Sequence, residues 1–259
     1  MTDQKTVISL FSETLDLAIA DQGNGQAFLI LHGGAGPASM SALADALSKK
    51  GRVLVPTHPG FNGELRPDWF SRVDDLVLAY LALLERLDLS KVVIIGNSFG
   101  GWLAVEMALR HSKRIAGIVL LNAVGIDTGS PDKTIVDPMA VEPAQRAQLA
   151  FHNPQKFATI PSGPQLAIMA ANQQTLRAYA GQPAFMHDPM LRSRLIGITI
   201  PALVAWGESD RIVDVQYGRR FAESIPGARF ELIPESGHFP QIEKMDEVVR
   251  LVETLTAQI

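Results

Sequence analysis

The chain contains no cysteine. That excludes a disulfide-stapled scaffold, a thiol nucleophile and thiolate zinc sites. Excess positive charge is missing too: 23 Lys and Arg stand against 27 Asp and Glu, for a net charge of −4. A protein that tracks a phosphate backbone needs a basic footprint, so no nucleic acid partner is expected. Long apolar runs are also absent. No stretch approaches the ~20 apolar residues that cross a bilayer. The start, MTDQKTVISLFSETLDLAIA, has no basic segment leading into an apolar one, so no signal peptide is read there. The expectation is a soluble cytoplasmic protein with no membrane partner. What is present is ordinary for a globular domain. The 259 residues are 47% hydrophobic and 19% charged, enough for one large core.

Short apolar runs alternate with helical patterns. Leu15 to Ala20 alternates apolar and polar residues, as an exposed antiparallel strand does. Ala27–Leu31 reads as a buried strand, Lys91–Ile95 as an apolar one, and Arg52–Pro56, Ile115–Leu121, Ala202–Trp206 and Arg229–Ile233 as further strands. Helical spacing covers Met40–Lys50, with Ser39 or Ser41 as cap, and Ser71–Leu87, where Ser71 and Asp74 approximate a capping box. Further helices are predicted over Phe99–His111, Val215–Ser224 and Asp246 to the end. Strand and helix in alternation call for a mostly parallel central sheet flanked by helices.

The rhythm breaks between Val124 and Gly197. No strand is evident there, and the segment holds eight of the 16 prolines and four of the eight methionines. Proline at that density predicts short, broken helices. The organisation read from this is a core of residues 1–123 and 198–259 with a helical lid inserted at 124–197, since long insertions in compact domains are usually functional.

Gly96-Asn97-Ser98-Phe99-Gly100 sits between a strand and a helix. A serine on so sharp a turn is lifted above the sheet edge, and the crowding demands residues without side chains beside it. The N-terminus of the following helix favours negative charge developing there. Serine is a weak nucleophile at its free pKa and needs a base, which in turn needs a partner to orient it.

This elbow, with Gly101, resembles that of the α/β-hydrolase family, and three more motifs extend the resemblance over nearly the whole chain. They are His32-Gly33-Gly34-Ala35-Gly36-Pro37, similar to the family's oxyanion loop; Trp206-Gly207-Glu208-Ser209-Asp210, similar to the site of its acid; and Ser236-Gly237-His238-Phe239-Pro240, similar to the site of its histidine. The order Ser98, Asp210, His238 is the one that family uses. The resemblance implies Ser98 as nucleophile, His238 as base and Asp210 as the acid that orients it. It also implies that the amides of Gly34 and Phe99 form the oxyanion hole. Asp214, which reads as a helix N-cap, and Asp127 are alternative acids, and Glu208 lies closer to the strand end. Among the other histidines, His111 reads as a helix C-cap. His152 and His187 read as surface residues of the lid, His32 as a brace of the glycine loop, and His58 as part of a surface turn.

Serine at the elbow argues against the family's aspartate-nucleophile enzymes. No P-loop and no metal-ligand spacing appear, so no cofactor and no metal are expected. The first functional reading is a serine hydrolase cleaving small or medium carboxylic esters through an acyl-enzyme. The alternatives are a carbon–carbon bond hydrolase of meta-cleavage products, which the Gly-Asn-Ser-Phe-Gly-Gly elbow resembles, or a ligand receptor on the same fold. The substrate is expected to be a small molecule with an apolar acyl group. The lid would supply apolar contacts from its methionines, Phe151, Phe157, Tyr179 and Phe185. A ring-cleavage dienoate would also need a cation, for which the lid offers Arg177, Arg192 and Arg194.

Overall fold

The computed structural model describes residues 5–129, 135–137, 140–159, 162–181 and 185–259, and for Lys5, Pro143 and Ala144 the backbone alone. Pro131, Pro138, Pro161, Pro183 and Met139 lie outside the described residues. Eight strands form one sheet in the order β1-β2-β4-β3-β5-β6-β9-β10. They are β1 (Lys5–Leu10), β2 (Leu15–Gln22), β3 (Ala27–Leu31), β4 (Arg52–Pro56), β5 (Val92–Asn97), β6 (Ile115–Leu121), β9 (Ala202–Gly207) and β10 (Arg229–Ile233). From β4 to β10 every pairing is parallel; β1 and β2 are antiparallel additions at one side.

The expected exposed strand at Leu15 is instead largely buried. The sequence reading left out β1, which covers the outer edge of β2, while β4 covers the inner one. The hairpin turn joining β1 to β2 carries three consecutive left-handed residues, Phe11, Ser12 and Glu13.

Apart from β10 at the margin, the parallel strands are buried on both faces, so they read as continuous apolar runs. Side chains alternate between two cores. Leu29, Leu31, Ile94, Leu120 and Val204 join one core with α2 (Val73–Arg86), α3 (Phe99–Ala108) and α8 (Val215–Glu223). Phe28, Ile30, Val93, Ile95, Val119 and Leu203 join the other with α1 (Ser41–Ser48) and α10 (Met245–Thr256).

Two predicted caps differ in detail. Ser39 and Ser41 turn back to the carbonyls of Gly36 and Ala38 rather than capping α1. Helix α2 starts one residue later than the Ser71 reading, so Asp75 rather than Asp74 occupies its third position. The Asp75 Oδ2 accepts the N–H groups of Ser71 and Arg72 at 2.9 Å each.

Between β6 and β9 the chain forms α4 (Pro143–Ala150), α5 (Pro154–Phe157), α6 (Pro164–Ala180) and α7 (Leu191–Arg194). Two corrections arise here. A two-residue parallel ladder joins β7 (Gly125–Ile126) to β8 (His187–Asp188), where no strand was expected. Proline has not broken every helix either: α6 runs for 17 residues. Pro143, Pro154 and Pro164 each sit in a first turn, where the missing N–H costs nothing.

Candidate active site

In an open parallel sheet, ligands bind beyond the carboxyl ends of the strands, where the strand order reverses. That reversal falls between β3 and β5, since the chain leaves β3 for β4 on one side and returns to β5 on the other. The His32–Gly34 loop leaves β3 there, and Ser98 leaves β5. Asp210 and His238 follow β9 and β10, on the same sheet edge.

The elbow is tight. Ser98 has φ 54° and ψ −117°, a strained conformation for a side-chain-bearing residue. A Cβ at Gly96 would lie 2.2 Å from the Gly100 carbonyl oxygen, and one at Gly100 would lie 2.0 Å from that of Leu31. Neither position admits a side chain. The glycine loop closes over the serine, and a Cβ at Gly33 would stand 3.5 Å from Ser98 Oγ. Among the described residues, no loop or turn carbonyl accepts from the N–H of Gly34 or Phe99.

His238 and Asp210 are brought together, with Nδ1 of the imidazole 2.8 Å from Asp210 Oδ2. The ring is therefore anchored through Nδ1, and Nε2 is the nitrogen left for proton transfer. Asp210 is buried, and its other oxygen accepts the N–H groups of Ile212 at 2.8 Å and Val213 at 3.1 Å. Asp214 instead caps α8 through the Tyr217 N–H at 2.8 Å. Asp127 accepts the Gly129 N–H, and Glu208 that of Glu235.

Several residues that organise this site were not singled out in the sequence. Asn97 donates to the carbonyls of Leu121 and His238, both at 3.0 Å, and so ties the elbow to the histidine loop. Asn122 donates to Asp210 Oδ2 at 2.7 Å and accepts the Gly207 N–H at 3.2 Å. Glu243, in α9 (Pro240–Glu243), gathers the N–H groups of Gly237, His152 and Asn153. From α6, Gln173 reaches the Gly34 carbonyl at 3.3 Å, and Leu176 packs where a Gly34 side chain would go. Asn97 had a visible signal, its place beside Ser98. The others depend on contacts distant in sequence.

His32 braces the glycine loop as expected, but His58 is not on the surface: both are fully buried and their rings stack at 3.7 Å. Their tautomers follow from their partners. His32 Nε2 accepts the His58 backbone N–H, so its proton sits on Nδ1 and is donated to the Gly33 carbonyl. His58 Nε2 faces the His32 carbonyl and must carry the proton, so Nδ1 accepts from the Tyr80 hydroxyl. Burial pushes the His32 imidazole down to about 4. Burial, and then the neighbouring His32, pushes His58 well below its usual value. The pair is neutral at neutral pH and its function is geometric.

The aromatic and basic residues of 124–197 are distributed unevenly. Tyr179 stacks on Phe99 and donates to the Pro59 carbonyl, and Phe151 packs on Phe239 beside His238. Phe157 and Phe185 instead lie under Lys156 and Arg177. Met186 is buried, whereas Met190 is exposed. Arg177 pairs with Asp137, and Arg194 pairs with Glu106 at 2.7 Å and Asp188 at 2.6 Å. Arg192 lines an open surface cleft with Asp127 and Glu223, which none of Ser98, Asp210 or His238 lines. Among the described residues, no three His, Asp or Glu side chains are grouped as a metal ion would need, and no helix is long and apolar enough to cross a membrane.

A mostly parallel sheet with a strained serine elbow and a buried acid–histidine pair at one edge defines an α/β hydrolase. The pattern of the Alpha/beta hydrolase family matches residues 28–251, and the chain belongs to that family. Among curated relatives it is similar to a 2-hydroxymuconate semialdehyde hydrolase of Pseudomonas putida, with 27% identity over 92% of this chain and 89% of the relative. It is similar as well to a 2-hydroxy-6-oxononadienedioate/2-hydroxy-6-oxononatrienedioate hydrolase of a Pseudomonas species, with 25% identity over 93% and 91%. Among solved structures, a meta-cleavage product hydrolase superposes with a TM-score of 0.80 at 23% identity, covering 98% of each chain. That last likeness speaks for the fold.

Proposed function

We propose that this hydrolase cleaves a carbon–carbon bond next to a ketone or aldehyde carbonyl in a small oxo-dienoate, with Ser98, His238 and Asp210 as its triad. The observation that carries this reading is the reaction named for the similar curated relatives, over about nine-tenths of the chain. It reverses the order of the sequence-based expectations, which put ester cleavage first.

In the proposed reaction Ser98 Oγ adds to the ketone or aldehyde carbonyl and its proton passes to His238 Nε2. Asp210 stabilises the imidazolium formed. The N–H groups of Gly34 and Phe99 take the oxyanion. The substrate must first take its keto form, the enol proton moving to the carbon that will be released; collapse of the adduct then breaks the carbon–carbon bond, the electron pair leaves as a conjugated dienolate, and this dienolate takes the proton back from His238. Water, deprotonated by the same histidine, then hydrolyses the acyl-serine to a carboxylic acid. Residues 124–197 serve as the lid, with Tyr179 and Leu176 supplying apolar wall.

Ester hydrolysis is the second reading, and one observation favours it. A dienoate carboxylate calls for a fixed cation in a buried pocket, whereas Arg177 and Arg194 already pair with carboxylates and Arg192 lines a different cleft. A neutral ester needs no such partner. The deciding measurement compares loss of a dienoate chromophore with release of p-nitrophenol from p-nitrophenyl butyrate. Dienoate turnover several decades faster supports the carbon–carbon reading; the reverse ratio overturns it in favour of the esterase. Fluorophosphonate labelling that is lost in Ser98→Ala separates both from a receptor.

A further inference from the structure

The Asp210 oxygen that accepts from His238 carries a second donor. Asn122 Nδ2 lies 2.7 Å from Oδ2, and His238 Nδ1 lies 2.8 Å from the same atom. Asn122 is fully buried at the end of β6, with φ 47°. Its Oδ1 accepts the Gly207 N–H at 3.2 Å, and its amide also reaches the Gly237 carbonyl at 3.4 Å. One side chain thus spans β9, the acid and the loop of His238.

We propose that Asn122 is a positioning residue for the triad: its amide aims the Asp210 oxygen that faces His238 and draws off part of that oxygen's charge. The inference rests on the triad reading above. A carboxylate oxygen shared between two donors binds each less strongly than it would bind one alone. The neighbouring imidazolium is then held less tightly.

The other ionisable groups near the pair are turned elsewhere. Glu243 accepts the Gly237 N–H, and Glu208 that of Glu235. Arg211 donates to the Gln148 carbonyl, His152 pairs with Ser209, and Asp214 caps α8. None of them bonds to the Asp210 carboxylate or the His238 ring, so Asn122 is the side chain positioned to modulate the contact between them.

The test is the rate of fluorophosphonate inactivation from pH 5 to 9, which needs no knowledge of the substrate. Asn122→Gly removes the amide and tolerates the left-handed backbone. The acid limb of the profile should move up by about half a pH unit or more, and the plateau should fall roughly tenfold as Asp210 loses its aim. Asn122→Ala, carrying some backbone strain, gives the same comparison if the glycine variant does not fold. Asp214→Asn, whose side chain caps α8 and bonds to neither member of the pair, should leave the limb in place. A limb unmoved in a folded Asn122 variant, or moved to lower pH, overturns the proposal, because loosened packing alone would lower the plateau without shifting the limb. Labelling that persists in Ser98→Ala would instead remove the triad reading beneath it.

Discussion

The two sides of the site hold their loops by opposite electrostatic means. On the side of Asp210 and His238, carboxylates gather N–H groups: Asp210 accepts from Ile212 and Val213, and Glu243 from Gly237, His152 and Asn153. On the side of Gly33 and Gly34, two stacked histidines and a tyrosine do the same work without charge. The contrast follows from what the proposed reaction asks of each side. A histidine that takes a proton needs an anion to stabilise the cation formed. A loop that presents amides to a forming oxyanion needs only to be held still, and a fixed anion beside it would oppose the charge that develops there.

The comparison breaks most sharply at the acid. Asp210→Asn should lower the inactivation rate on the order of 10⁴-fold, because the amide cannot stabilise the imidazolium and holds the wrong tautomer. Asp214→Asn should change it by less than about threefold, since Asn caps a helix as well as Asp does. Equal losses in the two variants would misplace the acid.

Glu243 gives the next largest effect. Glu243→Gln replaces a charged acceptor of three N–H groups, that of Gly237 buried and the other two part-buried, with a neutral one that also presents a donor. A stability loss of about 3 kcal/mol is expected. That corresponds to a fall in melting temperature of roughly 6–12 °C, read by thermal unfolding. An unchanged midpoint would show that the histidine loop is held from elsewhere.

On the neutral side the effect is nearly nil at pH 7 and takes the form of a pH dependence. His32 is lowered from 6.5 to about 4 in the fold, and His58 is lowered as well. As pH falls through 6.5 the unfolded chain takes up protons that the native state refuses. The stability contributed is therefore complete above that value and is lost as pH drops toward 4. The slope is at most about 1.4 kcal/mol per pH unit for each histidine. Urea unfolding at pH 7, 6 and 5 should show it, and His58→Gln should flatten it. Equal slopes in the two proteins would mean that the pair carries no part of the acid sensitivity.

How much of this was legible depended on whether the signal was local. The elbow was readable because glycine must stand where a Cβ would strike a backbone oxygen, as at Gly96 and Gly100, whereas the acid turn and the histidine loop were reached through the family resemblance. The parallel core was readable because strands buried on both faces are continuously apolar. His58 was misread because Pro-Gly after it signals a turn, while its burial comes from His32, Phe61, Phe99 and Tyr80, brought in by other elements. Asn122 and Glu243 lack any local mark, since their partners lie far along the chain. The prolines of 124–197 marked helix starts, and their count alone could not distinguish starts from breaks.

The margins of the sheet bear on how the protein behaves when crowded. A parallel sheet cut off at β4 would present Val53, Leu54 and Val55, a short β-branched and aliphatic run of the kind that recruits other chains into stacks. The antiparallel hairpin at the N-terminus occupies that margin. At the opposite margin, β10 alternates Arg229 and Glu231 with its apolar residues, and the two charges pair with each other. A second molecule adding there would have to strip water from both. The fold thus keeps the β4 run away from the margin with chain and guards the β10 margin with charge.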